Sequence, residues 1–280
     1  MGPKKLVNAD IQKLLELMQA EHGRDISVYD IAFLAQTLDQ RKAAIAAPDR
    51  GSYLAHLAAN ALEAEEFTQA LSNSHSEFFR NSLTFGYLEQ IVLPALMNRP
   101  GDPEIRIWSA GCAGGQEAYS LAMLLSELAD RCGHRRGFRI FATDRSGAEV
   151  QGATRGIFDE TALQNVRLRH LRAFFSRQNE AWVVVPELRD WIEFSEYDLL
   201  DEKTHCPPAC IFGGFDLIFC ANLLFYYRPE VRRRILNKLC QSLAPHGYFV
   251  TGEVERALVE PLKALKPLFL NAPIFQKNEG

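Results

Sequence analysis

Ile107-Trp-Ser-Ala-Gly-Cys-Ala-Gly-Gly-Gln-Glu-Ala-Tyr-Ser-Leu-Ala122 is the stretch on which the fold turns. Its first residues complete a stretch, Glu104 to Ser109, that reads as a β-strand. Gly111 to Gly115 is a glycine-rich turn, and Glu117 to Leu128 carries an apolar stripe at helical spacing. A strand, a glycine turn and a helix in that order bring bare backbone amides close to a ligand. A second strand, Phe138 to Thr143, follows and ends in Asp144.

A carboxylate at the end of a second strand can accept hydrogen bonds from both hydroxyls of a ribose. With the glycine turn, it argues for a nucleoside cofactor over the C-terminal edge of a sheet. The G-x-G-x-x-G spacing of a pyrophosphate site is absent, because the glycines stand at Gly111, Gly114 and Gly115. That order favours adenosylmethionine, which has no phosphates, over a dinucleotide. A glycine turn after a strand can also be only a turn.

Downstream, a helix is expected near Ala148. Trp182 to Val185 and Trp191 to Phe194 flank a turn at Pro186 and read as a hairpin. Phe215 to Cys220 is an apolar strand of the fully buried type. Val231 to Leu243 reads as a helix, Pro245-His246-Gly247 as a turn, and Tyr248 to Thr251 as the start of another strand. Alternating strands and helices predict a mostly parallel sheet covered on both faces. Upstream the pattern is different. Ile11, Leu14, Leu15 and Met18 repeat at helical spacing, as do Ile31, Leu34, Leu38 and Ile45. After Pro48-Asp49-Arg50-Gly51, a third helix is expected through Leu54, Leu57 and Leu62. No strand pattern precedes about residue 104. The expected division is a helical domain with its linker over residues 1–75 and an α/β domain over 76–280.

The balance of 31 basic and 35 acidic residues gives a net charge of -4, which argues against a dedicated nucleic-acid binder. The first residues lack the apolar core of a signal peptide, and runs such as Phe215 to Tyr227 are too interrupted to span a bilayer. A cytoplasmic protein without direct membrane insertion is expected. Six scattered cysteines do not form a disulfide framework. His205-Cys206-Pro-Pro-Ala-Cys210 has metal-like spacing, but no second ligand pair accompanies it, so it reads as a proline-bearing surface loop and no metal is expected.

The quoted stretch closely resembles the cofactor motif of the chemotaxis receptor methyltransferases of the CheR type. Four further segments resemble the same family, in order and spacing: Ser76-Glu-Phe-Phe-Arg80, Phe141-Ala-Thr-Asp144, Phe194-Ser-Glu-Tyr-Asp-Leu-Leu200 and Phe215-Asp-Leu-Ile-Phe-Cys-Ala-Asn-Leu-Leu-Phe-Tyr226. The resemblance implies a Rossmann-like adenosylmethionine-dependent methyltransferase domain, a small all-helical N-terminal domain and a small β insertion. The implied reaction is esterification of glutamate side chains, with adenosylhomocysteine as product. The implied partner is the cytoplasmic helical region of a chemoreceptor, not nucleic acid.

Position by position, the resemblance places Ser76 and Arg80 against the methionine end of the cofactor, with Arg80 also able to orient a substrate carboxylate. Ala110 and Gly111 would back the cofactor, and Glu117 would accept from its ammonium. Asp144 would hold the ribose, and Asp198 and Leu199 would border the adenine. Ala221 and Asn222 would be further cofactor-binding positions, with Asn222 and Tyr226 at the mouth of the site. Tyr226 would stand nearest the transferring methyl, so Arg80 and Tyr226 are the expected catalytic residues. A glutamate is already ionised at neutral pH, so no general base is required, and none of the usual constellations is visible.

The chain departs from the family pattern where Ala221 replaces an arginine and where Gln36 to Ala43 keeps only Arg41 and Lys42 of several basic residues. Two other readings therefore stand beside the first. One is a weak or inactive adenosylmethionine-binding interaction or sensor module. The other is a methyltransferase with a different acceptor.

Overall fold

The computed structural model describes residues 3–72, 75–100, 104–133, 137–208, 210 and 214–278. The chain divides into two units, one of residues 1–73 with 224–233 and one of 74–223 with 234–280.

The first unit is helical: α1 Pro3–His22, α2 Ile31–Ala44, α3 Arg50–Ala59 and α4 Ala61–Leu71. Side-chain caps decide where three of them begin. Asp30 accepts from the Ala32 amide, Asp49 from that of Ser52, and Asn60 from those of Leu62 and Glu63. Leu14, Met18, Leu34, Leu38, Tyr53, Leu57 and Phe67 are buried between these helices. The expected third helix is in fact two. Asn60 is extended, ends α3 and caps α4, so Leu62 falls on the outer face and is 79% exposed instead of entering the core. Residues 224–233 join this unit through a backbone bridge and a ring stack between Tyr29 and Tyr227, and an Arg232–Asp30 ion pair at 2.9 Å.

The second unit opens with α5 Ser82–Tyr87, a π-helical turn at Leu88–Val92 and α6 Leu93–Asn98. Then follow β1 Glu104–Ala110, α7 Gln116–Arg131, β2 Gly137–Asp144, α8 Gly147–Arg155, β3 Ile157–Phe158, α9 Leu168–Phe174, β4 Phe175–Gln178, β5 Ala181–Val184, α10 Pro186–Arg189, β6 Ile192–Glu196, β7 Phe215–Phe219, α11 Pro229–Ser242 (residues 229–233 of which count with the first unit), β8 Leu243–Val250, α12 Arg256–Val259, β9 Leu265–Pro267 and β10 Ile274–Lys277.

The main sheet has the order β6-β2-β1-β7-β8-β10-β9. The pairs from β6 to β8 are parallel, while β10 is antiparallel to both β8 and β9. The order reverses between β1 and β7, the switch point where α/β sheets hold ligands. This is the Rossmann-like methyltransferase fold read from the sequence. The inner strands β1 and β7 are apolar and buried over most of their length, interrupted by Glu104, Arg106 and Asp216, because helices cover both faces. Trp108 is fully buried, and its indole N–H donates to Thr143 Oγ1 at 2.9 Å, tying β1 to β2.

A second sheet, β3-β5-β4, forms the small insertion. The hairpin within it differs from the expected one. β5 pairs with β4 across a tight turn in which Asn179 is left-handed (φ 56°). Pro186 instead starts the one-turn helix α10, after which β6 joins the main sheet parallel to β2. Among the described residues, no helix is long and apolar enough to cross a membrane.

Candidate active site

The C-terminal ends of five neighbouring strands supply the site. After β1, Gly111 (φ 75°), Ala113 (φ 45°) and Gly115 (φ 85°) turn the chain sharply into α7. A side chain at Gly115 would lie 2.9 Å from the Ala153 methyl and 3.0 Å from the Phe194 ring, so only glycine fits there. The turn is laced to the end of β2: the Gly111 and Cys112 amides both donate to the Thr143 carbonyl (2.8 and 2.9 Å), and the Ala113 amide donates to Asp144 Oδ2 (2.9 Å). Asp144 Oδ1 accepts from the Ser146 amide at 2.9 Å. Each oxygen of Asp144 keeps a second lone pair. Asp198 and Leu199 follow β6, the strand beside β2. Asp198 Oδ1 accepts from the Leu200 amide at 2.8 Å, and Leu199 is buried.

On the other side of the glycine turn lies a pocket. Arg80, Asn81, Thr84, Glu117, Ala221, Asn222, Thr251 and Gly252 line it. The Arg80 guanidinium donates to the His75 carbonyl at 3.2 Å, and the backbone around it is fixed by its neighbours. Phe79 and Asn81, on either side, are both left-handed (φ 51° and 63°). The Phe79 amide donates to Ser120 Oγ at 3.0 Å, its ring stacks on buried His170, and Asn81 caps α5 through the Thr84 amide. Left-handed conformations at two non-glycine residues persist because the surrounding packing fixes them.

Glu117, in the first turn of α7, is 6% exposed. Burial pushes its carboxyl up to about 8. The Arg80 charge pulls it down, and Glu255 and Glu77 push it further up. Ser76 Oγ, Thr84 Oγ1 and Gln116 Oε1 are buried without a hydrogen-bond partner among the described residues. Buried polar atoms of this kind are rare in folded proteins unless a ligand or water completes them. A zwitterion would suit the pocket, its ammonium beside Glu117 and its carboxylate beside Arg80 and Thr84. The methionine end of adenosylmethionine is such a zwitterion.

The structure thus gathers Arg80, Glu117, Ala221 and Asn222 into one pocket. Ala110, Gly111 and Asp144 stand at the adjoining strand ends, with Asp198 and Leu199 one strand farther. Ser76 precedes Arg80, with its hydroxyl buried. Tyr226 is not among these residues. It belongs to the first unit, where its ring lies 4.6 Å from that of Phe33. Sequence reasoning missed Thr84, Thr251, Gly252 and Glu255. Thr251-Gly252 follows a predicted strand, so strand-end position was the available signal. Nothing in the spacing marked Glu255. His205, Cys206 and Cys210 do not assemble into a metal site, since no group of three or more metal-ligating side chains occurs among the described residues. Instead Cys210 receives a 2.8 Å hydrogen bond from Arg106 of β1; Ala209, within that stretch, lies outside the described residues.

Residues 74–266 match the family model of the CheR methyltransferase, SAM binding domain. The chain belongs to the CheR methyltransferase family. Chemotaxis protein methyltransferase 1 of Pseudomonas aeruginosa is 35% identical over 195 residues, covering 68% of this chain and 69% of its own length. The chemotaxis protein methyltransferase of Salmonella typhimurium is 32% identical over 246 residues, covering 85% and 78%. An uncharacterized 104.1 kDa protein of Rhodobacter capsulatus is 30% identical over 249 residues, and there this chain spans 89% of itself but only 25% of the relative. Membership makes adenosylmethionine the cofactor of this CheR methyltransferase, and the Glu117–Arg80 pocket suits its charged end.

Proposed function

We propose that this chain transfers a methyl group from adenosylmethionine to glutamate side chains in the cytoplasmic helical region of a chemoreceptor-type protein. The observation that carries the reading is the pocket in which buried Glu117 faces Arg80 at the C-terminal edge of the sheet. Glu117 would hold the cofactor's ammonium, and Arg80 with Thr84 and Ser76 its carboxylate. Asp144 would hold the ribose, and Asp198 and Leu199 would border the adenine. Bound adenosylmethionine supplies a methyl group carried on a positive sulfur.

The residues of the chain then have three tasks: alignment, exclusion of water and placement of charge. An acceptor glutamate arrives ionised near neutral pH, so no side chain need remove a proton. A dry, aligned site suffices, because water favours separated charges over the dispersed charge of the transition state. The apolar wall of the pocket, buried Phe219 with partly buried Ala221, would serve that exclusion.

The test is calorimetric titration of the chain with adenosylmethionine and adenosylhomocysteine, repeated on Asp144→Ala. Binding that drops by at least roughly a hundredfold in the variant is expected, since a carboxylate bonded to two hydroxyls contributes about 1.5–3 kcal/mol per bond. A base-labile methyl ester on receptor protein would then establish the acceptor. Ala221, in the pocket wall where the family carries arginine, favours a second reading: cofactor binding without transfer. Tight cofactor binding with no ester on any receptor would select it.

A further inference from the structure

Glu255 is fully buried, yet it lies beside the pocket. One of its oxygens, Oε2, accepts three hydrogen bonds: from the Asn222 amide at 2.8 Å, from Thr251 Oγ1 at 2.9 Å and from the Gly252 amide at 3.1 Å. These donors come from the ends of two different strands, β7 and β8, and all three residues line the pocket. Glu255 itself reaches back from the 3₁₀ turn Glu253–Glu255 that follows β8.

The geometry it fixes is demanding. Asn222 is left-handed (φ 57°), a conformation that asparagine tolerates but that needs support from its surroundings. A side chain at Gly252 would lie 3.0 Å from the Asn222 amide nitrogen and 3.0 Å from Glu255 Oε2, so the two strand ends meet with no room to spare. A carboxylate oxygen suits a point where three donors converge, because it accepts without donating, and bonds to a charged acceptor are the stronger kind.

We propose that Glu255 is a positioning residue for the methyltransfer site, acting through Asn222 and the Thr251–Gly252 turn to give the pocket the shape that receives the cofactor's methionine end. The inference rests on the reading of this pocket as the adenosylmethionine site. Glu255 is buried beneath the lining, so it acts without touching the ligand.

The test is a double-mutant cycle read by calorimetric titration of the full chain with adenosylhomocysteine at about pH 9, above the Glu117 value near 8, so that the separate effect of the Glu255 charge on Glu117 does not enter. Wild type, Glu255→Gln, Asn222→Gly and the double variant are compared, with far-UV circular dichroism as the check on folding. Glu255→Gln keeps the volume but loses the charge, and Asn222→Gly keeps the left-handed backbone but loses the side chain. Glu255→Gln is expected to weaken binding at least roughly tenfold, and the double variant to bind within about twofold of the weaker single variant, because both changes act on one path. A Glu255→Gln affinity within about twofold of wild type, or losses that multiply in the double variant, would overturn the proposal. Should Glu255→Gln fail to fold, Glu255→Asp, which keeps the charge and shortens the reach, is held to the same threshold. If wild type itself does not bind adenosylhomocysteine, the reading of the pocket fails, and not the role of Glu255 alone.

Discussion

Glu63 in the helical unit and Glu117 in the pocket are each 6% exposed, and they titrate in opposite directions. Burial would raise Glu63, but Arg41 and Tyr53 outweigh it and hold the carboxyl below its usual range. Arg41 grips it with two hydrogen bonds (3.0 and 2.8 Å), and the Tyr53 hydroxyl donates a third at 2.8 Å. Glu117 meets burial with only the more distant pull of Arg80, against the push of Glu255 and Glu77, and rises to about 8. One carboxylate is completed by its own chain, and the other is the one proposed to be completed by the cofactor's ammonium. Equal burial therefore separates a structural acid from a binding acid only when the donors around each are counted.

The contrast breaks most sharply at Arg41. Arg41→Ala should destabilise the protein by about 2–3 kcal/mol, since it strands a buried carboxylate, and denaturant unfolding would measure it. Adenosylhomocysteine affinity should stay unchanged, because Glu63 serves the bundle alone.

At Glu117 the opposite trade is expected. Its folded value near 8 lies above the ordinary 4.5, so the stability it allows is fully present below pH 4.5 and is lost as pH rises through 8. Glu117→Gln should therefore unfold later than wild type at pH 9, while binding adenosylhomocysteine far more weakly. The gain in stability should be roughly 2 kcal/mol, well under the full cost of ionising a carboxyl held this high, because the site relaxes around the charge. Thermal unfolding and titration of the same sample would show both.

Wild-type affinity should also climb roughly tenfold between about pH 6.5 and 8.5 as the acid ionises to meet the ammonium, and Glu117→Gln should flatten that climb. The smallest effect is expected at Asn60. Removing its cap by Asn60→Ala should cost about 1 kcal/mol, enough to loosen α4, which carries Glu63, without touching the pocket's pH profile.

Much of the second unit was legible because strand ends in a parallel sheet converge, so a glycine turn, Asp144 and the Asn222 segment could be placed from sequence alone. The helical unit was legible in type but not in detail. Ala55 to Leu62 keeps helical spacing, and only the capping preference of Asn60 signals the break that turns Leu62 outward. The expected hairpin at Pro186 was lost to a competing use of proline, the first position of a helix. Glu255 was invisible for a different reason. Its importance comes from three donors brought together by tertiary packing, and no local pattern encodes that convergence.

The position of β10 has a consequence for how the protein is made. This strand is synthesised after β9 but is inserted between β9 and β8, and the Thr251 amide in the pocket wall donates to the Pro273 carbonyl just ahead of it. Until β10 docks, β8 therefore has one edge unpaired. During that interval its open edge is a template for strands of neighbouring chains, and the pocket cannot yet be finished. Whatever slows the docking of β10 would lengthen the exposure, so the yield of active protein should depend on how fast β10 inserts beside β8.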